Sequence, residues 1–330
     1  MRRRDFLRVS GGLFAAPLAL AQSGAARPRI ALVDASVRSA DIDSRHAYWA
    51  ALLDELAKLG HVEGRTAVLD RWGGSGDIDG YSALARKIAE SAPQVVVVRG
   101  RPMLLHLAAA TKSTPIVVVG AIPPDLRLSI ARPGKNVTGI QPGGNDQLVY
   151  AKQLEFLKEL IKADARVAWF GPKNLWDSIT GEATRLGARQ LKLSLQPVIV
   201  DTPVNEAAIR RAFDQLAKGT FDAVLVSPSA EIVPYVRILA ELLASKRLPS
   251  VGTTRLSAEA GLTLCYGADL PAIYRQIAHY VDKILKGAKP GDLPIEQPTK
   301  FELVVNMKTA RRIGVVIPPS VHMRADRMIE

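Results

Sequence analysis

Two kinds of apolar pattern alternate along this chain. Short continuous runs at Arg29–Val33, Ala67–Leu69, Gln94–Val98, Pro115–Val119 and Asn136–Gly139 read as strands. Gln94–Val98 ends in four successive valines, the composition of a strand covered on both faces. Between these runs, His46–Leu59, Tyr81–Ser91 and Pro102–Thr111 carry the helical period. Leu52, Leu56 and Leu59 fall on one face of the first, and Gly60 stops it. Leu84, Ala85 and Ile88 fall on one face of the second, and Pro102 suits the first turn of the third.

The pattern then restarts. Helices are expected at Leu148–Ile161, Leu175–Leu191, Glu206–Leu216 and Ile232–Leu243, with strands at Arg166–Phe170, Gln196–Val200, Ala223–Val226 and Pro249–Gly252. Strands alternating with helices argue for doubly wound parallel sheets, and two such blocks argue for two similar lobes. A remainder follows: a strand at Leu262–Tyr266, a helix at Leu270–Leu285, a Pro/Gly-rich link at Gly287–Asp292 and a strand at Phe301–Asn306. It implies a chain that crosses back between the lobes through a multi-crossover hinge. Ligands are then expected at the carboxyl ends of the strands that face the interlobe cleft.

The first residues change the picture. Met1–Arg8 is basic, Val9–Leu20 is apolar and Ala19-Leu20-Ala21 is a small-residue cleavage site, the layout of an export signal cut after Ala21. The apolar run is shorter than the ~20 residues of a spanning helix. Arg3-Arg4-Asp5-Phe6-Leu7-Arg8 resembles a twin-arginine signal; an ordinary secretory signal with extra arginines is the alternative. Either signal places the mature protein in the periplasm and argues against a nucleotide-fuelled enzyme.

Removing residues 1–21 deletes four Arg and one Asp and lowers the formal charge from +12 to +9. The basic residues are dispersed, with no run of five and no aromatic-basic motif, so nucleic acid is not an expected partner. Cys265 is the single cysteine. It rules out an intrachain disulfide and, since no cysteine follows the apolar run, a lipid anchor there. His46, His61, His106, His279 and His322 show no metal spacing, and no Gly-x-Ser-x-Gly elbow is present. Gly73-Gly74-Ser75-Gly76-Asp77 lacks the P-loop lysine. No cofactor, metal or catalytic activity is expected.

Three groups of residues carry a resemblance: Leu59-Gly60-His61-Val62-Glu63-Gly64-Arg65, Ala131 to Gly139, and the C-terminal strings Tyr280 to Pro290, Glu296 to Val304 and Ile317 to Ser320. In these the chain resembles the ABC-transporter substrate-binding family that includes tryptophan/tyrosine-type proteins, a branch of the type I periplasmic binding fold. The resemblance implies a monomer that captures a small organic solute, an amino acid or related carboxylate, and delivers it to an inner-membrane ABC permease. A periplasmic sensor feeding a receptor kinase is the alternative. The implied lobes are 27–140 plus 259–288 and 144–252 plus 299–330, with hinge segments near 141–143, 253–258 and 289–298.

The loops at strand ends supply the candidate ligand contacts. In the first lobe these are Ser36 and Arg38, Gly100 and Arg101, and Gly120 and Ala121. Arg101 stands where the family usually has a small residue, and its fork suits an acidic ligand group. Ala121 stands where relatives often carry an acid, which weakens any ammonium-binding role there. In the second lobe the candidates are Asn174, Trp176, Ser227, Ser229, Glu231, Thr253 and Thr254. Trp176 suits stacking on a flat ligand, against a core position at helical spacing. Ser229 suits a polar contact or a helix cap, and Glu231 suits an ammonium. Arg255 matches a position that is often arginine in the family and is assigned to the hinge.

Overall fold

The computed structural model describes residues 27–43, 45–74, 79–142, 146–218, 221–229 and 231–330. The export-signal reading of residues 1–21 lies outside them. Along the first lobe run β1 (Arg29–Asp34), α1 (Ala47–Lys58), β2 (Val68–Gly73), α2 (Tyr81–Glu90), β3 (Val95–Arg99), α3 (Arg101–Ala110), β4 (Ile116–Val119) and β5 (Val137–Ile140). The strands form one parallel sheet of order β2-β1-β3-β4-β5. Strand side chains point alternately to the two faces. Ile30, Leu32, Val95, Val97 and Val117 therefore pack on the α1 side, while Ala31, Val33, Val96, Val98 and Val118 pack toward α2 and α3. Burial on both faces is why these strands read as unbroken apolar runs.

The second lobe holds α4 (Asp146–Lys158), β6 (Arg166–Pro172), α5 (Lys173–Trp176), α6 (Ile179–Gln190), β7 (Ser194–Val200), α7 (Glu206–Lys218), β8 (Ala223–Val226), α8 (Val236–Ser245), β9 (Ser250–Gly252), α9 (Arg255–Glu259) and β10 (Leu264–Ala268). The helix expected over Leu175–Leu191 is broken in two, because Ser178 leaves the helical conformation and its side chain accepts from the Thr180 N–H at 3.2 Å to start α6.

The chain next forms α10 (Leu270–Leu285), then β11 (Phe301–Asn306), α11 (Met307–Ile313), α12 (Pro319–Arg324) and β12 (Arg327–Ile329). The second sheet has the order β12-β11-β10-β9-β8-β6-β7, with β11 antiparallel to β10. The expected return to the first lobe at residue 259 comes later. Residues 264–268 hydrogen-bond between β9 and β11 in the second sheet, and the chain crosses back with α10. There its Tyr274, Ile277, Val281 and Ile284 share a core with Tyr48, Trp49, Leu52 and Leu56 of α1. Each such fully buried side chain contributes roughly 1.5–3 kcal/mol.

The chain passes between lobes after β5, after β10 and before β11. Before the last passage it lies along the first sheet's edge: Glu296 N–H donates to the Gly139 carbonyl at 3.0 Å, and Gln141 N–H donates to the Glu296 carbonyl at 2.9 Å. The first passage leaves the carboxyl end of β5 and enters the amino end of α4. The second leaves the carboxyl end of β10 and enters the amino end of α10. The third enters β11 at its antiparallel register with the end of β10. All of them join the carboxyl edges of the two sheets, so those edges face each other. Lys300 Nζ sits 3.0 Å from Asp269 and ties the last two passages together.

Candidate functional site

In the first sheet β1 and β3 are neighbours, but the chain leaves them in opposite directions, β1 toward β2 and β3 toward β4. Such a switch point opens a crevice at the carboxyl edge. Asp34 and Arg99 end the two strands directly opposite each other. Asp34 lies two residues after Leu32, and Arg99 two after Val97, so both share the buried face that α1 and α10 cover.

Asp34 is fully buried, and its carboxylate is well supplied with donors. Oδ1 accepts from Ser36 N–H at 3.0 Å and Ser36 Oγ at 2.6 Å; Oδ2 accepts from Tyr48 OH at 3.1 Å and Trp49 Nε1 at 3.2 Å. Arg99 Nη1 donates to Ser36 Oγ at 2.7 Å and lies 3.6 Å from Asp34 Oδ1. The guanidinium also lies 5.3 Å from the Tyr48 ring centroid, within cation–π range. Tyr274 covers the group from α10, with ring centroids 4.7 Å from Tyr48 and 5.0 Å from Trp49.

Electrostatics follow from this packing. Burial pushes the Tyr48 and Tyr274 hydroxyls far above the ordinary tyrosine range, so both stay neutral, Tyr48 as a donor to Asp34 and Tyr274 without a partner. Burial likewise depresses His46, whose ring lies 4.2 Å from Tyr48. Burial alone would lower Arg99, but Tyr48, Asp34 and Tyr274 around it outweigh that and the guanidinium stays charged. Its side chain retains 17 % exposure. Immediately after it, Gly100 takes φ +91°, a turn open to glycine, and α3 begins.

The second sheet has the same topology around β6 and β8, which are neighbours flanked by β7 and β9. Gly171 and Pro172 end β6, and Ser227 follows β8, donating its N–H to the Phe170 carbonyl at 3.0 Å. A Cβ at Gly171 would overlap Ser227 Oγ and the Trp169 ring, so glycine is required there. Ser227 Oγ is buried without a hydrogen-bond partner, as is Oε2 of Glu231. Burial raises the Glu231 carboxyl above its ordinary range.

The other expected contacts are placed as follows. Ser36 is buried on Asp34, whereas Arg38 is exposed and paired with Asp41 at 2.8 Å. Gly100 and Gly120 lie against each other at the ends of β3 and β4, with Arg101 and Ala121 exposed beside them. Asn174 is exposed on α5. Trp176 lies 5.0 Å from Trp169 at a 53° tilt and 4.6 Å under the Arg185 guanidinium, so a ring face that a ligand could stack on is already covered. Ser229 Oγ accepts from Glu231 N–H at 3.2 Å, the turn-capping role. Thr254 Oγ1 lies 3.1 Å from Ser257 Oγ at the start of α9, and Thr253 is half-buried next to it. Arg255 pairs with Glu259 at 3.2 Å.

Asp34 and Arg99 are not among the contacts expected from the loops. Strand parity was the signal for both: a charged residue two positions beyond a buried valine or leucine shares its buried face. Two concavities lie off the switch points. One of about 590 Å³, beside Pro28, Gln94, Pro115 and His61, sits at the amino ends of β1, β3 and β4; one of about 230 Å³ borders Gly73, Tyr81 and Lys87. Among the described residues no group of three His, Cys, Asp or Glu is arranged to hold a metal ion. No helix among them is long and apolar enough to cross a membrane.

A family model described as ABC transporter substrate binding protein matches residues 37–329. The chain shares 24% identity and a TM-score of 0.80 with a conserved domain protein from Vibrio cholerae O1 biovar El Tor, over 91% of this chain and 99% of that one. It shares 21% identity and a TM-score of 0.79 with an ABC domain from Streptococcus pneumoniae in complex with L-Trp, over 92% of this chain and 100% of that one. A ligand-free, open substrate-binding protein with adhesive properties from Clostridium difficile gives 18% identity and a TM-score of 0.63, over 92% and 99%. No curated protein sequence matches.

Proposed function

The chain belongs to the ABC transporter substrate-binding protein family, and from that membership we propose that it is the periplasmic solute-binding component of an importer. Its ligand in this reading is an amino acid or related carboxylate, and it acts as a monomer without making or breaking a bond. The observation that carries the reading is the Asp34–Arg99 pair at the first switch point, a charged centre built where the interlobe crevice opens. The L-Trp held by the Streptococcus pneumoniae neighbour adds support for the amino-acid class.

The mechanism is a population shift. A ligand that touches both carboxyl edges stabilises only the closed arrangement of the lobes. The passages between the lobes act as the hinge, and the permease reads the closed surface. Ser36, Gly100, Arg101, Gly120 and Ala121 border the site in one lobe; Asn174, Ser227, Ser229, Glu231, Thr253 and Thr254 border it in the other. Export through the signal in residues 1–21 supplies the periplasmic address.

Thermal shift with proteinogenic L-amino acids and small carboxylates tests this. A ligand at about 100 times its Kd adds about 2.7 kcal/mol to the folded state. At least one compound should raise the Tm; a flat response across the whole set refutes the ligand class.

A further inference from the structure

The two switch points differ in charge and in what they leave unpaired. In the first lobe Asp34 is saturated by Ser36, Tyr48 and Trp49, so it does not depend on Arg99 for its hydrogen bonds. Arg99 uses Nη1 on Ser36; among the described residues nothing accepts from its Nε or Nη2. A planar guanidinium with two adjacent donors free fits a carboxylate through both oxygens.

The second lobe presents the opposite need. The Ser227 hydroxyl and one Glu231 oxygen are buried without partners. A buried polar group left unpaired costs free energy that an incoming donor recovers. An ammonium supplies three N–H donors and a positive charge, which fits a hydroxyl and a carboxylate together.

Resting on the amino-acid reading above, we propose that the lobes divide the ligand's charges: Arg99 of the first lobe takes its carboxylate, and Glu231 with Ser227 of the second takes its ammonium. Neither lobe alone then satisfies the ligand, so binding requires closure. Asp34 is a positioning residue that fixes Ser36 and, through it, the guanidinium.

The test uses the processed full chain. Proteinogenic L-amino acids are ranked by calorimetric titration. The tightest is then compared with its own decarboxylated amine and its own deaminated acid, on the wild type, Arg99→Met, Arg99→Lys, Arg101→Ala and Glu231→Gln. Arg99→Met should weaken the amino acid on the order of 30-fold or more, as for loss of one partner of a buried hydrogen-bonded charge pair, yet leave the amine unchanged. Arg99→Lys keeps the charge but loses the fork, and should fall between. Arg101→Ala, which leaves the Arg99 fork intact, should weaken the amino acid less than Arg99→Met does.

Glu231→Gln should weaken the amino acid and leave the deaminated acid unchanged, while the ligand-free Tm holds or rises. A merely structural Glu231 would instead lower that Tm. Binding to no amino acid overturns the amino-acid reading, and this assignment with it. Tight binding of an amino acid, with every variant weakening it and both analogues equally, overturns the division of charges alone.

Discussion

One topology is used twice in this chain, with different chemistry at each crevice. The β1/β3 edge holds a buried ion pair roofed by three aromatic rings, with its carboxylate fully supplied with donors. The β6/β8 edge is spaced by Gly171 and leaves the Ser227 hydroxyl and a Glu231 oxygen unpaired. The first edge is pre-organised around a saturated carboxylate, although the Tyr274 hydroxyl and His46 Nδ1 beside it are also unpaired. The second carries an unmet cost that is offset only when something enters. A ligand therefore has reason to settle on the first lobe and draw the second toward it.

The sharpest way to break this contrast is Asp34→Ala. It strands the Arg99 charge and orphans Tyr48 OH, Trp49 Nε1 and Ser36. Breaking a buried pair in this way costs about 3–5 kcal/mol, to be read from urea unfolding; a loss below 1 kcal/mol would show that the centre is not pre-organised. Gly171→Ala comes next. The new methyl meets Ser227 and Trp169, and overpacking costs roughly 1–3 kcal/mol. An unchanged Tm there would mean that the second crevice is looser than the structure has it.

A pair of tyrosines sharpens the comparison further. Tyr48→Phe removes a hydrogen bond to a charged group, worth about 1.5 kcal/mol. Tyr274→Phe removes a buried hydroxyl that has no partner and should be neutral or slightly stabilising. Equal losses from the two would erase the distinction drawn within the first centre.

The smallest effect concerns pH. The Glu231 carboxyl is raised in the folded state by burial, so the folded protein holds that proton more tightly than the unfolded chain. Its contribution is most favourable below the ordinary carboxylate range and is lost as pH rises through the raised value. Glu231→Gln should flatten that part of the stability curve and gain about 1 kcal/mol or less near neutrality, since the side chain is only half-buried. A curve identical to wild type would place the carboxyl in water.

Much of the scaffold was legible because its strands are covered on both faces and its helices on one. β3, β8 and α10 stand out as a valine run, an apolar tetrad and a long amphipathic helix, and the structure puts them at 95–99, 223–226 and 270–285. The short α9, α11, α12 and β12 were not foreseen, since a few residues carry too little period to register and tertiary contacts decide them. The site was legible only as a set of loops. Arg101 drew attention because it follows the turn, while Arg99, inside the strand, is the arginine the fold buries. Trp176 was open between ligand and core, and Arg185, over its ring, with Trp169 tilted beside it, settles it into the packing.

The central claim is that two lobes close on a dissolved solute. Small-angle X-ray scattering of the processed protein, with and without the tightest-binding amino acid, tests it directly. The account expects the radius of gyration to fall at saturation and to stay at the ligand-free value for Arg99→Met under the same conditions. An unchanged radius in the wild type at saturation would contradict it.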